Sequence, residues 1–145
     1  MKRFIAFFVL MALAACTPQK KYNDFDYSYS RSGGLSPIYE NLWIKGNNAH
    51  YSFEGQGKNI KKDFTLSKDE LSNIQNVLEQ NKFRMIQEDY KKLYDYISTS
   101  IIVKIGSQSA SKSDASYIME ADKSRWENVA NTFRKLIDSK TSEAK

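Results

Sequence analysis

Cysteine occurs once in this chain, at position 16, and histidine once, at position 50. A lone thiol excludes an internal disulfide framework, and one histidine beside it excludes the usual Cys/His ligand sets of zinc and iron–sulfur centres. Only carboxylates remain for a metal, and Asp24/Asp26 and Glu88/Asp89/Asp95 lack the dense spacing of a calcium loop, so neither a metal nor a cofactor is expected. Proline is confined to two positions and glycine to six, which leaves no room for long flexible linkers or a glycine-rich phosphate cradle; Gly33-Gly34 precedes a strand rather than opening a helix. No apolar run approaches the ~20 residues that span a bilayer as a helix. Charge of one sign is never gathered into a stripe: Lys61-Lys62-Asp63 and Glu88-Asp89-Tyr90-Lys91-Lys92 mix both signs, so nucleic acid is not an expected partner.

What is present begins at the amino terminus. Lys2 and Arg3 precede twelve apolar residues, Phe4 to Ala15, and Leu13-Ala14-Ala15-Cys16 closes the run with small residues. Charge, length and closing residues together are those of a cleavable export signal over residues 1–15. The four closing residues resemble the lipobox of bacterial lipoproteins, which implies that Cys16 becomes the acylated first residue, carrying fatty chains of the palmitate type. Two or three such chains, at ~0.8 kcal/mol per buried methylene, hold a protein on a membrane where one chain does so only marginally. By resemblance to the enterobacterial sorting rule, Thr17 rather than Asp after the cysteine favours the outer membrane. Lys2 and Arg3 account for two of the 22 basic residues, so the remainder, set against 17 acidic ones, carries about +3. The polar residues 16–24 read as the lipidated cysteine and its tether, 25–138 as one domain, and 139–145 as a polar, frayed tail.

Within the domain, Phe25-Asp26-Tyr27-Ser28-Tyr29-Ser30 alternates with period two and reads as a strand. Ile38 to Lys45 and Ala49 to Glu54 form a hairpin about Gly46-Asn47-Asn48, with Leu42, Ile44, Tyr51 and Phe53 on one face. Ile60 to Leu66 supplies a fourth strand. Ser67 and Glu70 form a capping box, Leu66 and Leu71 a hydrophobic staple, and Leu71, Ile74, Val77 and Leu78 the apolar stripe of a helix ending near Asn81. Residues 84–96 read mostly as loop. Ile97 to Ile105 is β-branched, with Ile97, Thr99, Ile101, Val103 and Ile105 on one face, and is expected to be a central strand. A sixth strand is expected over about Lys112 to Glu120 with Ala115, Tyr117 and Met119 inward. A last helix is expected to start at a second capping box, Ser124 with Glu127, and to bury Trp126, Val129, Ala130, Phe133, Leu136 and Ile137. The order ββββ-α-ββ-α predicts an α+β fold: an antiparallel sheet of about six strands with both helices on one face and the other face open.

The stretch Ser32-Gly33-Gly34-Leu35-Ser36-Pro37-Ile38-Tyr39, with the strand, Gly-Asn turn and Leu66-Ser67 helix start that follow it, resembles a domain-of-unknown-function family of small Bacteroidetes-type lipoproteins, over about residues 27–137. That family usually has cysteines where Ser32 and Ser36 stand, so any disulfide, metal or redox role of those cysteines is not available here. The resemblance implies a fold and a location, and no activity.

No catalytic constellation emerges. There is no G-x-S-x-G elbow, Ser32 or Ser36 beside His50 is the only triad-like combination, and Glu40 and Glu54 fall on opposite faces of their hairpin. The informative feature is the strand face opposite the core, where Tyr39, Asn41, Trp43 and Lys45 stand with His50, Ser52 and Glu54. Flat rings among polar groups suit contact with an envelope protein partner, or stacking against a glycan or small ligand, and equally the plain decoration of a half-exposed sheet. The expected function is therefore non-enzymatic: an accessory or inhibitor module held on the membrane through Cys16.

Overall fold

Strict alternation of aromatic and hydroxyl side chains sets the first strand, and the same period governs the three that follow it. The computed structural model describes residues 24–91 and 95–142; the expected export signal, Cys16 and the expected tether up to residue 23 lie outside the described residues. The strands are β1 (Tyr27–Gly33), β2 (Ile38–Lys45), β3 (Asn48–Gly55), β4 (Lys58–Thr65), β5 (Ile97–Val103) and β6 (Ala110–Ser113), and the helices α1 (Lys68–Gln80) and α2 (Lys123–Thr141). Single 3-10 turns, Phe83–Met85 and Glu120–Asp122, precede β5 and α2. All pairings are antiparallel, in the order β4-β3-β2-β1-β5-β6. The fold is thus α+β with a six-stranded antiparallel sheet.

One sheet face carries Tyr27, Tyr29, Leu42, Ile44, Ala49, Tyr51, Ile101 and Val103, all buried in one cluster with Ile74 and Leu78 of α1 and Trp126, Phe133 and Ile137 of α2. Both helices therefore cover the same face. Each helix has a single apolar stripe, and only by sharing one side of the sheet do the two stripes meet the inward residues of β1, β2 and β5. The helices run antiparallel: Lys140 Nζ lies 2.8 Å from Glu70 at the start of α1, and Asn128 donates to Asn81 at its end.

The start of α1 follows from its sequence. Ser67 Oγ accepts from the Glu70 N–H at 3.1 Å and the Glu70 carboxylate accepts from the Ser67 N–H at 2.7 Å, the reciprocal pair of a capping box. Lys45 pairs with Asn48, which centres the β2–β3 turn on Gly46 and Asn47, and Gly46 takes the left-handed φ of +58° that this turn needs. At the far end of β1, Gly33 has φ +104°, and a Cβ there would stand 2.7 Å from the Tyr96 carbonyl oxygen. Glycine is needed where β1 meets the start of β5.

Four expectations are corrected. The sixth strand is shorter and its continuation has the opposite parity: β6 ends at Ser113, Ile118 points inward, and Tyr117 and Met119 are 50% and 42% exposed. The cause is Asp114, whose carboxylate takes the Thr99 N–H at 2.6 Å, a donor that a continuing strand would satisfy with its own carbonyl. Residues 117–119 then run against 87–89 instead, through Asp89 N–H to the Tyr117 carbonyl and Met119 N–H to the Gln87 carbonyl. The second capping box does not form, because the Glu120–Asp122 turn starts the helix at Lys123 and leaves Ser124 inside its first turn; Glu127 pairs with Arg134. Of the tail expected over 139–145, residues 139–141 are not frayed, since α2 continues to Thr141 and Lys140 holds Glu70, and residues 143–145 lie outside the described residues. β5, for its part, ends at Val103, so Ile105 lies beyond the strand, 39% exposed.

Three carboxylates tie these elements together and titrate below their ordinary range. Asp26 is held down chiefly by the Gly46 N–H, with Lys45 adding and burial opposing. Glu70 is lowered first by Lys140, then by the Ser67 N–H. At Asp122 burial works upward, but the Gln87 N–H and the Arg125 guanidinium outweigh it and the net shift is downward. Groups whose folded pKa is depressed contribute stability above their unfolded pKa and lose it as pH falls through the folded value. The urea midpoint is therefore expected to be flat between about pH 7 and 5 and to fall below about pH 4. A midpoint unchanged down to about pH 3 would contradict this assignment.

Candidate functional site

The face of the sheet away from the helices is built by the strand register. Trp43 pairs with His50, which pairs with Asp63, while on the other side Trp43 pairs with Ser28 and Ser28 with Ile102. The Trp43 and His50 rings stack, with centroids 5.8 Å apart and planes 25° from parallel, and His50 Nδ1 lies 2.5 Å from Asp63 Oδ1. One row along, Ser113, Ser100, Ser30, Asn41, Ser52 and Lys61 cross all six strands in sequence. The third row brings Ser98 and Ser32 to Tyr39, Glu54 and Asn59. Every expected residue of the face, Tyr39, Asn41, Trp43, Lys45, His50, Ser52 and Glu54, is on it.

The result is a field of short hydroxyl and amide side chains with an aromatic ring on either side. Tyr39 is 56% exposed and Trp43 half-buried. Their Cα atoms are four residues apart on β2, about 13 Å at ~3.3 Å per residue. Short side chains let a partner approach the backbone closely and lose little rotamer entropy on contact. Near Trp43 a shallow depression of about 430 Å³ is lined by Lys45, Asn48, His50, Asp63 and Thr65 among others. Lys45 closes one side, its ammonium 2.9 Å from Asp24 and 3.0 Å from Asp26.

The geometry separates the groups that acyl transfer would need. Ser32 lies two strands and two rows from His50, about 10 Å across and 13 Å along at the usual sheet spacings. Ser36 is farther still, in the turn after β1. The His50–Asp63 contact has the arrangement that a base and its orienting acid take in a triad, but these serines are not placed to complete one. Glu40 pairs with Phe53 and Glu54 with Tyr39, which puts the two carboxylates on opposite faces, as the hairpin pattern required. Among the described residues no group of three or more His, Cys, Asp and Glu side chains is gathered in a way that could hold a metal ion.

The contribution of β1, β5 and β6 was missed in the sequence, because it depends on β5 lying beside β1, a neighbour 70 residues away. A local signal was nevertheless present: serine at every second position in Ser28-x-Ser30-x-Ser32, Ser98-x-Ser100 and Ser111-x-Ser113 is the period of one strand face. A second polar feature lies on the core side. Glu40, 7% exposed, accepts from the Tyr51 hydroxyl at 2.9 Å and from Arg31 at 3.1 Å. Beside it the Tyr29 hydroxyl accepts from Arg134 at 3.3 Å, and burial pushes the Tyr29 phenol up to about 12.

Set against known protein families, the chain matches no family model, and no curated protein matches it. Its site is accordingly read from its own residues. No helix among the described residues is long and apolar enough to cross a membrane.

Proposed function

We propose that this chain is a non-enzymatic lipoprotein, anchored to the outer membrane through acylated Cys16, whose helix-free sheet face binds another envelope protein as an accessory or inhibitor subunit. The observation that carries the reading is the composition of that face. Tyr39 and Trp43 supply rigid, amphipathic contact area, while Ser30, Asn41, Ser52 and Ser100 between them supply adaptable hydrogen bonding; this is the division of labour found in antibody paratopes. Lys61 and Asp63 on one strand, and Glu54 beside them, leave the face of mixed sign, which fits a polar partner surface of low net charge rather than a strongly charged polymer. The Cys16 reading is supported by the closing residues of the export signal and by the polar tether behind them.

The test compares the lipidated protein with Tyr39→Ala, Trp43→Ala and, as a control on the opposite side of the molecule, Lys135→Ala. Each is crosslinked in cells and co-purified after circular dichroism has shown equal folding. Loss of a central Tyr or Trp anchor weakens binding by about 2 kcal/mol or more, roughly thirtyfold. A partner captured by the wild type and Lys135→Ala and lost from both aromatic variants is the expected result. Equal capture by all four proteins sinks the proposal and makes the Tyr39/Trp43 face structural.

A further inference from the structure

The strands run between two ends of the domain, and the chain enters at only one of them. Asp24 and Tyr27 lie at the end that also holds the β2–β3 turn and the β5–β6 turn, since Tyr27 pairs with both Ile44 and Val103 and the Lys104 N–H donates to the Asp26 carbonyl at 2.9 Å. From Cys16 to Asp24 is eight residues, a reach of at most about 26 Å. A lipid on Cys16 thus holds this end at high effective concentration against the bilayer.

Two apolar side chains project here that the core does not need. Met85 is 64% exposed in the 3-10 turn after α1, and Ile105 is 39% exposed just past β5. The two segments are joined, because the Arg84 N–H donates to the Gln108 side chain at 3.1 Å. Lys82 and Arg84 flank them, and among the described residues neither has an acidic side chain within ion-pair distance, while Lys104 next to Ile105 lays its ammonium over the Phe25 ring, 3.7 Å from its centroid. The acids of this end are largely engaged or set apart from the two tips: Asp24 and Asp26 are on Lys45, Asp63 is on His50, and Glu70, with Asp69 beside it at the start of α1 next to the β2–β3 turn, is on Lys140, while Glu79 stands beside Ile105. Apolar tips ringed by long cationic side chains are the pattern of a surface that rests in the headgroup layer, the ammonium and guanidinium groups reaching phosphates while the tips enter the acyl boundary.

We infer that the domain is seated on the bilayer by this end, with Met85 and Ile105 in the headgroup layer, so that the strands stand up from the membrane and the turn at 34–37 points away. The inference rests on the reading of Cys16 as lipidated. Its test uses the mature lipidated protein in phosphatidylethanolamine/phosphatidylglycerol vesicles that contain nitroxide-labelled lipid. An environment-sensitive fluorophore is attached to the thiol introduced by Ile105→Cys, by Met85→Cys or, at the opposite end, by Ser36→Cys; the acylated Cys16 sulfur does not react. Flotation with the vesicles and quenching severalfold stronger at positions 105 and 85 than at 36 is the expected result. Flotation with equal quenching at all three positions overturns the seating and leaves the lipid anchor standing. Absence of flotation overturns both.

Discussion

Replacing Phe133 with alanine is expected to remove about 3–5 kcal/mol of stability, a large share of the 5–15 kcal/mol that holds a typical domain folded. Phe133 is almost completely buried and stacks on Tyr29 with ring centroids 5.7 Å apart and planes 15° from parallel. Tyr29 is itself fully buried at the centre of β1, with β2 on one side and β5 on the other. The loss has two parts, the transfer energy of the ring and the cavity left between α2 and a sheet that cannot collapse inward. A urea titration should show the midpoint fall with an unchanged slope, because the same surface is exposed on unfolding. Phe133→Leu, which refills most of the volume, should lose much less. A fall in Phe133→Ala no larger than that of an exposed α2 position such as Lys135→Ala would mean that α2 is not the lid of the core.

The second large effect lies in the polar layer beside it. Arg31→Met leaves the buried Glu40 carboxylate with the Tyr51 hydroxyl as its remaining partner, and breaking a buried pair from one side costs about 3–5 kcal/mol. Because 31% of the Arg31 side chain is exposed and water already screens it, the low end, about 3 kcal/mol, is expected. The companion Arg31→Met/Glu40→Leu removes both charges and should recover part of the loss, since an apolar pair of similar volume carries no charge desolvation, while the buried Tyr51 hydroxyl loses its acceptor and keeps the recovery incomplete. Chemical denaturation of the two singles and the double gives the coupling directly. Additive losses, with no recovery in the double variant, would show that Arg31 and Glu40 contribute through separate contacts.

Much of this architecture was legible because it is local. Period two in Tyr27-Ser28-Tyr29 and in Leu42-Trp43-Ile44 fixed which residues face the helices, and the hairpin through Gly46 and Asn47 fixed their parity. The Ser67/Glu70 box and the Ile74 and Leu78 stripe located α1 almost to the residue. The same locality placed the Tyr39 and Trp43 face, since two residues four apart on one strand share a side whatever the rest of the fold does. What failed were the places where a side chain takes over a backbone role. Asp114 ends β6 by accepting from Thr99, and Asp122 ties residue 87 to the start of α2, so neither the parity of Tyr117 nor the first turn of the helix follows from periodicity. The buried Glu40 also escaped period-two reasoning, which places it inward but cannot supply its partners: Arg31 comes from one neighbouring strand and Tyr51 from the other.

The place of β1 in the sheet also bears on how the chain acquires its structure. Its first strand is an inner one, and residues 27–33 are completed only by residues 97–103. A ribosome releases β1 to β4 early, and these can meander locally, but their inward tyrosines and leucine have nothing to pack on until α1 arrives, and Tyr29 has no cover until Phe133 does. Closure waits on long-range contacts made by the last third of the chain, the kind that form slowly. A polypeptide built in this order becomes globular only once its last helix is in place, and truncation within α2 should leave it collapsed but unlocked.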